Sequence, residues 1–159
     1  MKDSIYLNRH KKKYNKYLKE IINQPEIVKT INVENVKEIK DGESLNIDHL
    51  VIGKRIFPFS LSHMGNDIGL FCLDNIDWES KNCRLKGGIF ENYIDLISKE
   101  QIRDCVKDVL NFSYNNLGIK RVSGITRKDS FAIEEINEIF DKEGENINKT
   151  IVYYASIAE

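Results

Sequence analysis

The stretch SKEQIRDCVKDVLNFSYNNLGIKRVSGIT, residues 98–126, contains the most clearly marked helix of the chain and the strand that follows it. Apolar and small residues recur at helical spacing and form one face: Ile102, Cys105, Val106, Val109, Leu110 and Ser113. Gly118 follows the last position of this pattern, where helices commonly end on a glycine. We therefore predict a helix over residues 98–117 and a strand over residues 121–126.

Strand and helix patterns extend outward from this pair in a definite order. The other predicted strands are residues 4–8, 55–62, 67–73, 82–91 and 150–157, and the other predicted helices are residues 11–22, 131–140 and a short segment that begins at Pro25. Helices come first, adjacent strands follow, and strand then alternates with helix. This order predicts an α+β fold with a mixed sheet. Because no linker or repeat divides the chain, we expect a single domain over residues 1–159.

Two adjacent glycines, Gly87 and Gly88, lie inside the predicted strand at residues 82–91. Glycine weakens a strand, so a pair of them needs a local reason. The pattern is typical of a β-bulge or of a place where the backbone of another molecule comes close.

Composition excludes several classes of function. The 159 residues have a hydrophobic share of 41% and a formal net charge of −1, which are ordinary values for a globular protein. A balanced charge provides no general attraction to nucleic acid or to an anionic membrane, so we expect neither as a partner. No apolar run has the length of a membrane-spanning helix, and the first residues lack the pattern of a secretory leader. We expect a cytoplasmic protein.

Metal binding is also not expected. Cys72, Cys83 and Cys105 form no C-x-x-C pair, and they lie in apolar stretches typical of small core residues. The three histidines, His10, His49 and His63, have no spacing typical of metal ligands or of a catalytic triad.

Several segments together are similar to a known family. They are Asn-Gln-Pro-Glu-Ile-Val at 23–28, the hairpin-like segment at 67–77, the helix end and strand at 110–122, and the last strand. In this order they resemble the GNAT superfamily of N-acetyltransferases, and in particular its branch of ribosomal-protein N-terminal acetyltransferases. The resemblance implies the GNAT (acyl-CoA N-acyltransferase) fold, a mixed, mostly antiparallel central sheet flanked by helices.

The resemblance also implies an activity, the transfer of an acetyl group from acetyl-CoA to a primary amine of a small molecule or a protein N-terminus. The amine would attack directly, so that only positioning and a proton acceptor are required. The coenzyme would lie in a splay between two central strands, with its pantetheine arm against Ile89 and Phe90. Its pyrophosphate would bind the amides at the start of the long helix, where the helix dipole favours an anion.

The family marks that helix start with [Arg/Gln]-x-x-Gly-x-[Gly/Ala], and the matching residues here depart from the motif. Ile97, Glu100 and Ile102 stand at its three defining positions. The Glu100 carboxylate would repel a pyrophosphate. Ser98 and Gln101 form a capping-box pattern that would engage some of the amides, whereas Lys99 would partly compensate.

Other positions implied by the resemblance also differ. Asp129 stands where the family often has an asparagine at the start of the next helix, and Ile136 and Asn137 stand near its aromatic proton donor. Arg84 replaces the acid early in the third hairpin strand. Glu91, at the far end of that strand, is the candidate that could accept a proton from the amine.

Three hypotheses about function follow, together with the open prospect of a homodimer. The first is an N-acetyltransferase that uses acetyl-CoA. The second is a binding or regulatory protein that keeps the GNAT fold with a degenerate coenzyme site, its cleft filled by its own side chains such as Ile97 and Ile102. The third is an acyltransferase whose donor is a carrier protein, because a phosphopantetheine arm lacks the pyrophosphate that Glu100 would repel.

The change Glu100→Gly tests the argument from charge repulsion. If the coenzyme binds at this helix start, removing the carboxylate should raise the affinity for acetyl-CoA. Calorimetric titration of both proteins at moderate salt measures this difference. An unchanged or weaker affinity in the variant would contradict the repulsion.

Overall fold

The computed structural model describes residues 4–24, 26–34, 36 and 46–159. Its strands are β1 (Tyr6–Arg9), β2 (Lys29–Ile31), β3 (Phe57–His63), β4 (Asn66–Asp77), β5 (Asn82–Phe90), β6 (Arg121–Arg127), β7 (Asp141–Asn146) and β8 (Ile151–Ile157). Its α-helices are α1 (Asn15–Asn23), α2 (Ile47–Ile52), α3 (Lys99–Asn116) and α4 (Ile133–Ile139), and short 3₁₀ helices cover Lys12–Tyr14 and Glu91–Leu96.

The strands form one mixed sheet in the order β1-β3-β4-β5-β6-β8-β7, and β2 pairs with β5 off this path. Neighbouring strands are antiparallel except in two pairs, β5 with β6 and β2 with β5. The predicted α+β fold with a mixed, mostly antiparallel sheet flanked by helices is therefore confirmed.

The helices cover both faces of the sheet and produce two apolar cores. The larger core lies under α3 and α4 and includes Ile102, Val106 and Ile136. The smaller core lies under α1 and α2 and includes Leu18 and Ile47. The central strand β4 is buried without interruption from Ile68 to Leu73, as expected for a strand covered on both faces.

Local sequence explains why α3 begins and ends where it does. Ser98 is the N-cap, and its hydroxyl accepts a hydrogen bond from the Gln101 amide at 3.1 Å. The Gln101 side chain accepts in return from the Ser98 amide at 2.7 Å, which completes the predicted capping box. Gly118 follows the helix with a φ of +69°, a conformation that glycine adopts without strain.

The chain differs from the sequence prediction in several elements. The short helix expected from Pro25 is wrong, because residues 26–28 lead into the strand β2; Pro25 itself lies outside the described residues. Strand β7 was not predicted, because its sequence DKEGEN is polar and pairs only at the edge of the sheet. Helix α2 lies in a segment whose pattern was too irregular to assign.

Close packing in the middle of the sheet requires glycine at position 87. A Cβ atom built there would overlap the ring of Phe71 and lie 2.8 Å from the carbonyl oxygen of Ile27. One of these neighbours is an aromatic ring in the core, and the other is backbone, so neither can move without disturbing the sheet.

The change Gly87→Ala should therefore lower the free energy of unfolding by about 2–3 kcal/mol, because the methyl group overpacks the core. Gly144→Ala is the matched control, since a Cβ at that glycine of β7 meets nothing within 4 Å. Urea denaturation followed by circular dichroism measures both. Equal stabilities of the two variants would contradict the close packing around Gly87.

Candidate functional site

Strands β5 and β6 run parallel but pair only at their beginnings. Their register covers Asn82–Arg84 against Arg121–Ser123. Beyond these residues the two strands separate, so that a V-shaped splay opens between their carboxyl ends. This is the only parallel contact between two long strands in the described sheet.

Residues 26–31, which we call the inserted segment, occupy this splay. At its narrow end, the amide of Gly87 donates to the carbonyl of Glu26 at 3.0 Å, and the amide of Ile27 donates to the carbonyl of Ile125 at 2.8 Å. Glu26 thus bridges to β6 in a parallel sense. Farther out, β2 pairs in parallel with Gly88–Phe90 of β5. The segment completes the sheet where β5 and β6 no longer reach each other.

Glycines on the flanking strands make room for the side chains of the inserted segment. A Cβ atom at Gly124 would lie 2.6 Å from Cδ1 of Ile27, and one at Gly88 would lie 2.6 Å from Cγ1 of Ile31. Ile27 and Ile31 are both fully buried, the first in the larger core and the second in the smaller. The Gly87-Gly88 pair thus marks a close approach by a backbone of the same chain, whereas the sequence had indicated a bulge or the backbone of another molecule.

The two residues expected to contact a pantetheine arm form the end of β5. Ile89 lies opposite Thr30 of β2 on one side and Gly69 of β4 on the other, and Phe90 lies opposite Ile31. Both side chains are buried. Glu91 follows directly and begins a 3₁₀ helix with its side chain exposed.

The residues from Ile97 to Ile102 lie together at the start of α3. Some of their side chains are buried in the core, and others are exposed to solvent. Ile97 and Ile102 are buried in the larger core, which also contains Ile27 and Ile89. Ser98, Lys99 and Glu100 are exposed, and Gln101 lies within 3.4 Å of His63, Nε2 to Nε2. The box engages the amides of Ser98 and Gln101. The first-turn amides of Lys99 and Glu100 take no part in it.

Asp129 lies in the turn between β6 and α4. Its carboxylate is exposed and lies 3.6 Å from Nε of Arg127. The next turn of the same connection, at Phe131, is close to α3, because Nζ of Lys99 lies 5.9 Å from the centre of the Phe131 ring. The structure therefore brings this connection beside the start of α3 at a point two residues beyond Asp129.

One polar residue of the splay was missed at the sequence level. The Glu26 carboxylate accepts a hydrogen bond from the Ser130 hydroxyl at 3.3 Å and lines a groove of about 480 Å³. The groove lies between the end of α1 and the outer ends of β6 and β8, and its lining is Asn23, Gln24, Glu26, Ile125, Arg127, Lys149 and Ile151. The one signal for this residue was its place in the Asn-Gln-Pro-Glu-Ile-Val segment that resembles the family.

The environment of Glu26 favours the neutral carboxyl group. Burial raises its pKa above the ordinary value of a glutamate, and this effect outweighs the Ser130 hydrogen bond and the charges of Lys29 and Arg127, which lower it. A carboxylate with a raised pKa accepts a proton more readily than one in water. Glu26 is therefore a candidate proton acceptor at the narrow end of the splay.

The thiols of the chain lie away from this chemistry. Cys72, Cys83 and Cys105 are unpaired and buried. Burial raises the pKa of all three thiols, that of Cys83 to about 12. Within the described residues, no group of three or more potential metal ligands is found, and no helix is long and apolar enough to cross a membrane.

Solved structures with a similar architecture include acetyltransferases. A spermidine N-acetyltransferase from Vibrio cholerae, solved as a dodecamer, superimposes with a TM-score of 0.72 at 14% identity, covering 97% of this chain and 94% of that one. A protein described as a probable acetyltransferase gives a TM-score of 0.65 at 15% identity, covering 97% and 93%. The sequence matches no protein-family model and no curated protein sequence. The likeness shows that the chain has the fold of the GNAT acetyltransferases.

The pH dependence of stability should reveal the raised pKa of Glu26. In the native state this carboxyl group binds its proton up to a higher pH than in the unfolded chain. The contribution of Glu26 to the free energy of unfolding should therefore fall as pH rises from the ordinary glutamate pKa through the raised one. Glu26→Gln removes this titration, so the variant should be the more stable protein at neutral pH.

Urea denaturation of both proteins over a series of pH values measures the difference. Below the ordinary glutamate pKa, where residue 26 is neutral in both, the two curves should run together. A variant that is less stable than the wild type at neutral pH would contradict the unfavourable burial of the Glu26 carboxylate.

Proposed function

We propose that the protein is an N-acetyltransferase that transfers an acetyl group from acetyl-CoA to a primary amine. The observation that carries the proposal is the splay between β5 and β6 in a fold whose solved neighbours are acetyltransferases. The carboxyl end of β5 leads through the 3₁₀ helix Glu91–Leu96 to α3, and Nζ of Lys99 lies 5.9 Å from the ring of Phe131, which follows β6. We infer from this that the splay opens toward the start of α3. A ligand with phosphates at that helix start would extend its arm back along β5.

Several features of the helix start support an anionic donor. The amides of Lys99 and Glu100 lie in the first turn of α3, and the helix dipole adds positive potential there. The Lys99 ammonium group is exposed in the same turn. Glu100 opposes these contributions, which predicts weaker coenzyme binding than at a turn made of glycines.

Glu26 is proposed as the proton acceptor. The thioester supplies the activated acetyl group. The amine nitrogen forms a bond to its carbonyl carbon, the carbon–sulfur bond breaks, and the coenzyme leaves as a thiolate that takes up a proton from the solvent. The nitrogen loses a proton in this exchange, and Glu26, at the narrow end of the splay, has the raised pKa to accept it. Glu91 stays the alternative acceptor, exposed at the other end of the paired region.

The acceptor is proposed only as a class, a primary amine. Two sources of this amine have support. The resemblance of residues 23–28 and 67–77 to the ribosomal-protein branch favours a protein N-terminus, and the solved neighbour acts on spermidine. The proposal includes a cytoplasmic location, in agreement with three unpaired thiols. It specifies no state of assembly, and a homodimer is compatible with it.

A second candidate function is favoured by one observation. The inserted segment holds the edge of β5 at Gly88–Phe90, which a pantetheine arm would contact. If the inserted segment never leaves β5, the protein keeps the fold but cannot bind the coenzyme there. It would then act by binding other molecules. Coenzyme binding separates the two candidates.

The experiment is to incubate the protein with acetyl-CoA and a panel of primary amines, including polyamines and peptides with free N-termini, and to measure coenzyme release. The wild type should acetylate at least one class. Glu26→Gln should lower kcat by about 100-fold, because general base catalysis typically contributes 10²–10⁴-fold. The KM for acetyl-CoA should change little.

Two comparisons make the result specific. Glu79→Gln alters an exposed carboxylate in the turn between β4 and β5, at the opposite end of β5, and should retain wild-type kcat. Glu91→Gln tests the alternative acceptor: a loss confined to this variant would transfer the role from Glu26 to Glu91. The absence of coenzyme release with every amine, together with the absence of acetyl-CoA binding, would favour the second candidate.

A further inference from the structure

We propose that β2 is an internal competitor for the acyl donor, so that the donor binds only when Lys29–Ile31 leaves the edge of β5. This inference rests on the proposed function and extends it to regulation. It follows from three observations: β2 and the donor need the same backbone edge, β2 is held by few contacts, and its neighbours in the inserted segment are anchored separately.

The edge of β5 at Gly88–Phe90 can hold one partner at a time. On its other side β5 is already paired with β4, through Gly69 opposite Ile89 and Leu70 opposite Gly88. The remaining hydrogen-bonding edge faces β6, and β2 occupies it in the present structure. A pantetheine arm lying along the same residues would therefore have to replace β2.

The contacts that hold β2 are few enough to be exchanged. The strand has three residues, and the middle one, Thr30, is exposed. Ile31 is its main anchor, buried in the smaller core against Gly88. Lys29 adds an ion pair with Glu20 of α1, with 3.2 Å between Nζ and Oε1. Lys29 also donates a hydrogen bond to the side chain of Gln24. A three-residue strand held by one buried isoleucine and the partly buried contacts of one lysine opens at lower free energy than the whole domain unfolds.

The narrow end of the splay has its own anchors. Glu26 and Ile27 bridge Gly87 and Ile125 through two backbone hydrogen bonds, and Ile27 fills the larger core beside Gly124. The Ser130 hydroxyl holds the Glu26 carboxylate. Release of β2 therefore leaves Glu26 in place at the narrow end, where the proposed proton transfer occurs.

The competition has a definite effect on affinity. A donor that binds only the released state has an apparent dissociation constant equal to its intrinsic constant divided by the fraction of molecules in that state. The smaller this fraction is, the weaker the observed binding becomes. Weakening β2 without touching the donor's own contacts must therefore tighten donor binding. A structural strand with no such role would give the opposite result, or none.

Hydrogen exchange of the wild-type protein with and without saturating acetyl-CoA is the direct test. With the coenzyme bound, the amides of residues 29–31 should lose protection, while the Ile27 amide, bonded to Ile125, should keep it. Unchanged protection of residues 29–31 in the bound protein would overturn the competition and leave the proposed function standing.

Affinity measurements on variants provide the second test. Ile31→Ala removes the main anchor of β2 and should tighten acetyl-CoA binding by at least about tenfold. Ile56→Ala is its matched control, because Ile56 is also a buried isoleucine of the smaller core but lies before β3, outside the splay. The control should bind acetyl-CoA as the wild type does.

Glu20→Gln is a milder variant that leaves the core intact. It removes the ion pair of Lys29 and should tighten binding by about two- to threefold, as expected for a partly exposed pair. If Ile31→Ala and Glu20→Gln bind no more tightly than the wild type, the competition is wrong. If no protein of the set binds acetyl-CoA at all, the proposed function fails together with it.

Discussion

Strands β5 and β6 share a register of three residues, and the backbone beyond that register has to find other partners in the middle of the protein. Buried amides and carbonyls that stay unpaired cost free energy comparable to a lost hydrogen bond. The amide of Gly87 and the carbonyl of Ile125 are two such groups, and Glu26 and Ile27 provide their partners. The divergence of two strands thus dictates where a segment from the beginning of the chain must lie.

The same divergence ties the two faces of the sheet together. Ile27 enters the core under α3 and α4, whereas Ile31 enters the core under α1 and α2. While β2 stays paired with β5, a segment that contributes to both cores limits how far either helical layer can move independently. The glycines at 87, 88 and 124 are the complement of this arrangement, because larger residues would fill the space that the segment needs.

Local sequence patterns predicted the elements whose limits and buried faces are marked within the element itself. The helical spacing of the apolar residues of α3, the capping box at its start and Gly118 after its end could all be recognised from the sequence, and the structure confirms them. Strand β4 was recognised because its buried run is long. In contrast, β2 has three residues and β7 is polar, so neither offers a periodic pattern.

The candidate site could be predicted only in outline. The resemblance to a family named the end of β5 and the start of α3, both of which depend on short stretches of sequence. The contact of residues 26–31 with β5 and β6 joins segments far apart along the chain, which no local pattern encodes. Gly87-Gly88 indicated that a backbone comes close, but a glycine pair does not identify whose backbone it is. Glu26 owes its properties to that same distant packing.

The three buried thiols make chemical modification of cysteine a measure of whether the protein is folded. Cys72 lies in β4, Cys83 in β5 and Cys105 in α3, and all are shielded from solvent. With little thiolate present and no access for a reagent, an intact molecule is silent toward disulfide exchange and alkylation. Any modification then records an opening of the central layer rather than surface chemistry. Because the buried cysteines of the intact protein do not react with thiol reagents, a thiol released by a reaction in solution can be measured without a contribution from the protein.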